Sequence, residues 1–270
     1  MAATASCPAY LTGLFLIGKD DAVGAGFGMD KRLTTTVSER KSGRTIITLN
    51  GVEGALPVSK SVLGKYSEKG HRIGLLDIQH ATEVPVGFGL GMSAAGALSL
   101  SLAINELLGA GFSREECIKI AHDSEVECGT GLSGVDAAAI GGILARRSPS
   151  EPPLKLPFEE KGIEIAFYTP IRTSSVIKSP EWKKKVNAAG AAALGSLFGN
   201  LCWDGFVSAS RQFARQSGLA TWCAHEMESN PRASMAMLGN TLFSDTPMFL
   251  PRKPFMLMKA RTSEDGAKLL

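Results

Sequence analysis

The run from Val84 to Leu108 constrains this chain more than any other. A short β-branched stretch leads into Gly87-Phe-Gly89-Leu-Gly91-Met-Ser93-Ala-Ala-Gly96, and an apolar run then continues to Leu108. Glycines without a Cβ let the backbone come close to a ligand, and Gly91 can take positive φ without steric cost. A serine at a helix start caps unpaired N–H groups, and those groups with the helix dipole seat phosphate well. Ser93 is therefore expected to cap a helix from Ala94 to Leu108, apolar on nearly every side and so buried. A turn of this kind can also serve close packing alone. It is not a Walker loop, because no Lys-Ser/Thr pair follows the glycines.

At 270 residues the chain is long for one hydrophobic core. A net charge of +3 is too mild to argue for nucleic acid, and Lys183-Lys184-Lys185 reads as a solvated helix face. Cys7, Cys117, Cys128, Cys202 and Cys223 are scattered and form no Cys-x-x-Cys pair. Neither a zinc site nor a disulfide framework is expected, and a reducing cytoplasm is the simplest setting. Without a signal-like start or an apolar run of about 18 residues, no membrane contact is expected either.

Strands are expected over residues 4–17, interrupted by a loop at Cys7–Tyr10, and over 33–37, 45–49, 73–78, 163–169 and 255–259. Asp20 to Gly28 reads as a glycine-rich turn, and Ser42-Gly43 as a hairpin signal between two β-rich runs. Helices are expected near 59–66, from the capping box Ser113-Arg-Glu-Glu116 to about Glu127, and over 180–201, 202–216 and 222–228. Cys117, Ile118, Ile120 and Ala121 mark the apolar stripe of the second of these. Glu125 falls within that stripe and Glu127 at its edge, while His122 reads as a surface residue. A carboxylate on a buried face needs a partner, commonly a cation. Met235 to Phe243 reads as a glycine turn between apolar runs, and Ser148–Pro153 is the clearest composition break.

Pro85, Gly89, Leu90, Gly91, Ser93, Ala94 and Ala95 closely resemble the GHMP kinase motif Pro-x-x-x-Gly-Leu-Gly-Ser-Ser-Ala-Ala, with Met92 replacing its first serine. The resemblance implies that Gly87, Gly89, Leu90, Gly91, Met92, Ser93, Ala94 and Ala95 hold the phosphates of ATP. In that family a magnesium glutamate lies eleven residues before the aspartate of Ser-Gly-x-Asp, and Glu125 stands so before Asp136 in Ser133-Gly134-Val135-Asp136. Ser93 and Glu125 are thus implied Mg²⁺ ligands, with Glu127 the alternative, and Asp136 the implied general base. Leu238-Gly239-Asn240-Thr241 matches the family's third motif, a glycine turn that closes on the phosphates. The implied fold is α+β in two domains. Residues 1–152 would resemble ribosomal protein S5 domain 2, residues 153–270 would be ferredoxin-like, and ATP and substrate would sit between them.

Within the family, Pro8-Ala-Tyr10-Leu-Thr12-Gly-Leu-Phe15, Gly24-Ala-Gly26-Phe27 and Met237–Thr241 look most like archaeal pantoate kinases. That likeness implies phosphorylation of pantoate to 4-phosphopantoate, on the archaeal route to coenzyme A. Tyr10 stands where many relatives carry lysine and pantoate kinases often carry histidine. A small hydroxy acid needs an arginine or a ring of N–H donors for its carboxylate. Arg172 and the Gly24–Gly26 turn are the expected partners, with Tyr10, Thr12, Thr173, Ser174, Gly239 and Asn240 as further substrate contacts. A homoserine- or mevalonate-type kinase, and a non-catalytic metabolite sensor, are the other readings. Homodimerisation is expected from the family alone.

Overall fold

The computed structural model describes residues 1–19, 21–157 and 159–270. The chain opens with two long strands, β1 (Ala2–Ile17) and β2 (Ala22–Glu39), followed by β3 (Ile46–Leu49), β4 (Val52–Glu53), α1 (Pro57–Glu68) and β5 (Leu76–Thr82). Next come α2 (Met92–Leu108), α3 (Arg114–Cys128), α4 (Gly134–Ile140), β6 (Ile143–Arg146) and β7 (Leu154–Lys155). The remainder comprises β8 (Gly162–Pro170), α5 (Thr173–Ile177), α6 (Pro180–Phe198), α7 (Trp203–Ser217), a 3₁₀ turn at Thr221–Cys223 and α8 (Ala224–Ser229). It ends with β9 (Ser234–Met235), β10 (Gly239–Ser244), β11 (Met256–Arg261) and β12 (Lys268–Leu269).

The strands form two sheets, giving the α+β architecture expected from the resemblance. The first runs β12-β1-β2-β5-β3-β4, with β6 paired to the start of β2 and β7 to β6. The second runs β11-β8-β10-β9. All of the second sheet follows the 148–153 break, whereas β7 and β12, which also follow it, pair in the first. Residues 5–11 of β1 are buried without alternation. Helices from both parts of the chain cover it: α2 on one hand, α6 and α7 on the other. α2 is buried from Ala94 to Ile104, as its apolar run requires.

Several local expectations need correction. Cys7–Tyr10 is no loop but continuous strand, with a register shift between Pro8 and Tyr10, next to a residue that has no N–H to give the ladder. Gly24–Gly28 is not a turn. Gly24 and Gly26 lie inside β2, where a Cβ would strike the Leu14 and Leu11 carbonyls, so these glycines allow β1 and β2 to lie close. The reversal sits earlier, with Gly18 N donating to Asp21 O at 2.9 Å; Asp20 lies outside the described residues. Ser42-Gly43 makes no hairpin, because β5 inserts between β2 and β3, antiparallel to one and parallel to the other. The Met235–Phe243 turn is confined to 236–238, and Gly239 already begins β10. No helix among the described residues is long and apolar enough to cross a membrane.

Candidate active site

Gly87, Gly89 and Gly91 hold φ of +90°, +84° and +68°, a region in which side chains are rarely tolerated. The curl of this loop delivers the chain into α2 with Gly91, not Ser93, at the cap, and Ala95 N donates to Gly91 O at 2.9 Å. The serine cap expected from sequence is therefore corrected. Ser93 lies inside the helix, and its hydroxyl donates to Glu125 Oε1 at 2.5 Å. No side chain caps α2, so its first-turn N–H groups are left for a ligand. Beside them opens a cavity of about 480 Å³, lined by Gly87 and by Gly89 through Ala94. Ala95 is fully buried behind that lining.

Glu125 is 3% exposed, on the face of α3 that its helical phase foretold. Thr130 Oγ1 donates to the same Oε1 at 2.6 Å, and a Cβ on Gly131 would come within 2.5 Å of Oε2. Burial pushes this carboxyl above its ordinary value, while the Ser93 and Thr130 hydrogen bonds oppose the shift. Glu127 takes the opposite course. It is exposed, 3.0 Å from Lys65 Nζ, and accepts from Ser61 Oγ at 2.8 Å on the α1 side. Among the described residues no cluster of three or more His, Cys, Asp or Glu side chains could cage a metal.

Asp136 lies in the first turn of α4, half-buried. Its Oδ2 is 4.0 Å from Arg146 Nη1, and the same nitrogen lies 3.1 Å from Asp21 Oδ2. Burial raises the Asp136 carboxyl; His122 and Arg146 pull it back down. His122 is thus no surface residue: it is half-buried, and its charge is felt by both Asp136 and Glu125. The apolar stripe misled because α3 is flanked by α1, α2 and α4, which cover more than one of its faces.

Asp136, Arg146, Gly24 and Ser133 line a smaller cavity of about 50 Å³, and Tyr10 and Thr12 line both cavities. Tyr10 is pinned in that position. Its N–H donates to Leu90 O at 3.1 Å, and its ring lies against Gly26, where a Cβ would come within 2.6 Å of it. Burial pushes the Tyr10 phenol upward, so it stays a neutral O–H. Gly26 acts here as space for that ring, not as a donor turn.

Arg172, Thr173 and Ser174 line the larger cavity, with Arg172 exposed at its edge and away from the Asp136 lining. Gly239 is pressed against the glycine loop, where its Cβ would collide with Phe88 O. Asn240 Nδ2 donates instead to Thr169 Oγ1 at 2.5 Å, outside both linings. Sequence reasoning passed over Arg146. The available signal was an arginine closing the apolar run Ile143-Leu-Ala, ten residues after Asp136.

This geometry has known counterparts. Residues 58–142 match the family described as the GHMP kinases N terminal domain. Over 97% of its length the chain is 32% identical to the pantoate kinase of Methanocaldococcus jannaschii, covering 95% of that protein. The chain belongs to the GHMP kinases. A second relative, the pantoate kinase of Methanospirillum hungatei, is 29% identical over 89% of this GHMP kinase and 86% of its own length. A solved structure described as a phosphotransferase related to the CoA biosynthesis pathway superposes with a TM-score of 0.84. It covers 100% of this chain and 98% of its own at 22% identity, which speaks for the fold. As a GHMP kinase, this protein is an ATP-dependent small-molecule kinase.

Proposed function

We propose that this GHMP kinase transfers the γ-phosphoryl group of ATP to a hydroxyl of pantoate, giving 4-phosphopantoate. The observation that carries the reading is the approach of Asp136 to Arg146, 4.0 Å apart, in a small cavity that shares Tyr10, Thr12, Phe15, Ala22, Ser133 and Gly134 with the one beside the glycine loop. Pantoate brings one carboxylate and a hydroxyl to be activated; a cation beside a carboxylate base suits that acceptor. The full-length likeness to the M. jannaschii pantoate kinase supports the same substrate.

In this reading the loop backbone and the first-turn N–H groups of α2 hold the phosphates. Asp136 accepts the hydroxyl proton as the oxygen attacks phosphorus. Arg146 pairs with the pantoate carboxylate, a task the exposed Arg172 is less well placed to share. Tyr10 offers its neutral O–H between the two cavities. Ser93 and Glu125 would hold Mg²⁺. The donor set fits: Glu125 is a buried carboxylate with no ion pair among the described residues, and two protein oxygens leave coordination for phosphate and water. When bound, Mg²⁺ neutralises phosphate charge.

ADP release measured with ATP and Mg²⁺, offering D-pantoate, homoserine and mevalonate separately, tests this. Release with pantoate alone is the expected result. Release with one of the others would retain the kinase and discard the acceptor, and none with any, alongside measurable ATP binding, would favour a metabolite sensor.

A further inference from the structure

The mechanism leaves one buried polar chain unused. Ser99, Thr35, His80 and Ser59 are 0%, 0%, 4% and 6% exposed, and they come from α2, β2, β5 and α1. Their hydrogen bonds can be oriented. Ser99 Oγ donates to Ala95 O at 2.7 Å, so its proton is committed. Thr35 Oγ1, 2.6 Å from Ser99 Oγ, must then donate to it. With that proton spent, Thr35 accepts from His80 Nδ1–H at 2.8 Å. His80 is therefore the Nδ1–H tautomer, and its Nε2 accepts from the Ser59 hydroxyl at 3.0 Å. Burial holds His80 down at about 4, which keeps it neutral and the relay unbroken near neutral pH.

The relay ends in a hydroxyl whose proton points inward. Ser59 has no second partner among the described residues, so towards anything beside it this hydroxyl offers only lone pairs. Ser59 and His80 line the large cavity, together with Leu33, Leu49, Leu56 and Val58, a largely apolar end suited to a planar ring. Neither Ser59 nor His80 lines the smaller Asp136 cavity, which suits the acceptor. Resting on the kinase reading, we infer that Ser59 is a specificity-determining residue: it accepts from the exocyclic amine of an adenine base and disfavours a carbonyl at that position, as in guanine or hypoxanthine. A carbonyl oxygen facing the Ser59 lone pairs leaves two acceptors opposed, with no proton between them.

Dissociation constants for ADP, purine riboside 5′-diphosphate and IDP, measured by titration calorimetry on the wild-type chain, test the inference without any substitution. The expected order is ADP tightest and IDP weakest, with about a tenfold gap from ADP to IDP. In Ser59→Ala, the ADP-to-IDP ratio should collapse towards one. Equal wild-type affinities for ADP and IDP would overturn the inference while leaving the kinase reading intact. A Ser59→Ala loss equal for all three ligands would also overturn it, by showing a merely structural role. Binding of none would overturn the reading on which it rests.

Discussion

Asp136 sits in a field set by burial and three neighbours: burial raises its carboxyl, His122 and Arg146 lower it, and Asp21 raises it. In the base role proposed for it Asp136 acts as the carboxylate, so kcat/KM should fall as pH drops through a value raised above the ordinary 3.8 of aspartate. Arg146→Gln removes one of the lowering cations, so the acid limb should move to still higher pH. It also removes a charge-assisted contact of about 1.5–3 kcal/mol, so KM for the acceptor should rise about tenfold or more while KM for ATP holds. A pH–rate profile of both proteins checks the two effects together. Glu125 and Asp136 were legible in the sequence because helical phase and an intact Ser-Gly-x-Asp segment are local properties. Arg146 was not, since its neighbours Asp21 and Asp136 are brought together only when β6 pairs with β2.

Among the elements, α2 and α3 were readable because an apolar run and a capping box act within one or two turns; both capping-box bonds are present at Ser113 and Glu116. Strand order was not. β5 reaches its place between β2 and β3 from some thirty positions further along the chain, and no turn signal near Gly43 encodes that arrival. The glycines of β2 misled in the same way, because their purpose is the nearness of another strand. β10 supplies the element-scale prediction. Its first residue, Gly239, lies so close to the glycine loop that a Cβ would strike Phe88 O, and Gly89 in turn would meet Gly239 N at 2.9 Å. Gly239→Ala should therefore displace the phosphate loop from outside it. ADP affinity is expected to fall about tenfold or more, on the scale of one lost charge-assisted contact, while the helices keep their circular dichroism. Titration calorimetry with a parallel far-ultraviolet spectrum decides.

For the whole molecule, the two sheets share a core. Phe27 of β2 meets Trp203 and Phe206 of α7 and Phe243 of β10, with ring centroids 5.3, 5.7 and 5.7 Å apart. Phe206 is fully buried in that cluster, so Phe206→Ala should cost about 3–5 kcal/mol. Because the lost contacts span both sheets, calorimetry should show one transition shifted down as a unit; two separated transitions would show that the halves melt independently. The two-sheet α+β plan was legible through family resemblance, whereas this shared cluster depends on aromatic residues drawn from distant parts of the chain.

β12 covers the edge of β1 at two residues, pairing Leu269 with Ala5 and Lys268 with Ser6, and Arg32 and Arg114 fasten the segment before it through the carbonyls of Gly266 and Ala267. The strand that carries Tyr10 to the glycine loop thus waits for a partner made more than 250 residues later. During synthesis on a ribosome that edge stays open, a template on which another growing chain could add its own strand. The other strands of the row β12-β1-β2-β5-β3-β4 are all made within residues 2–82, and only its edge strand comes late. That stretch of edge at Ala5 and Ser6 is covered only once Lys268 and Leu269 have been made.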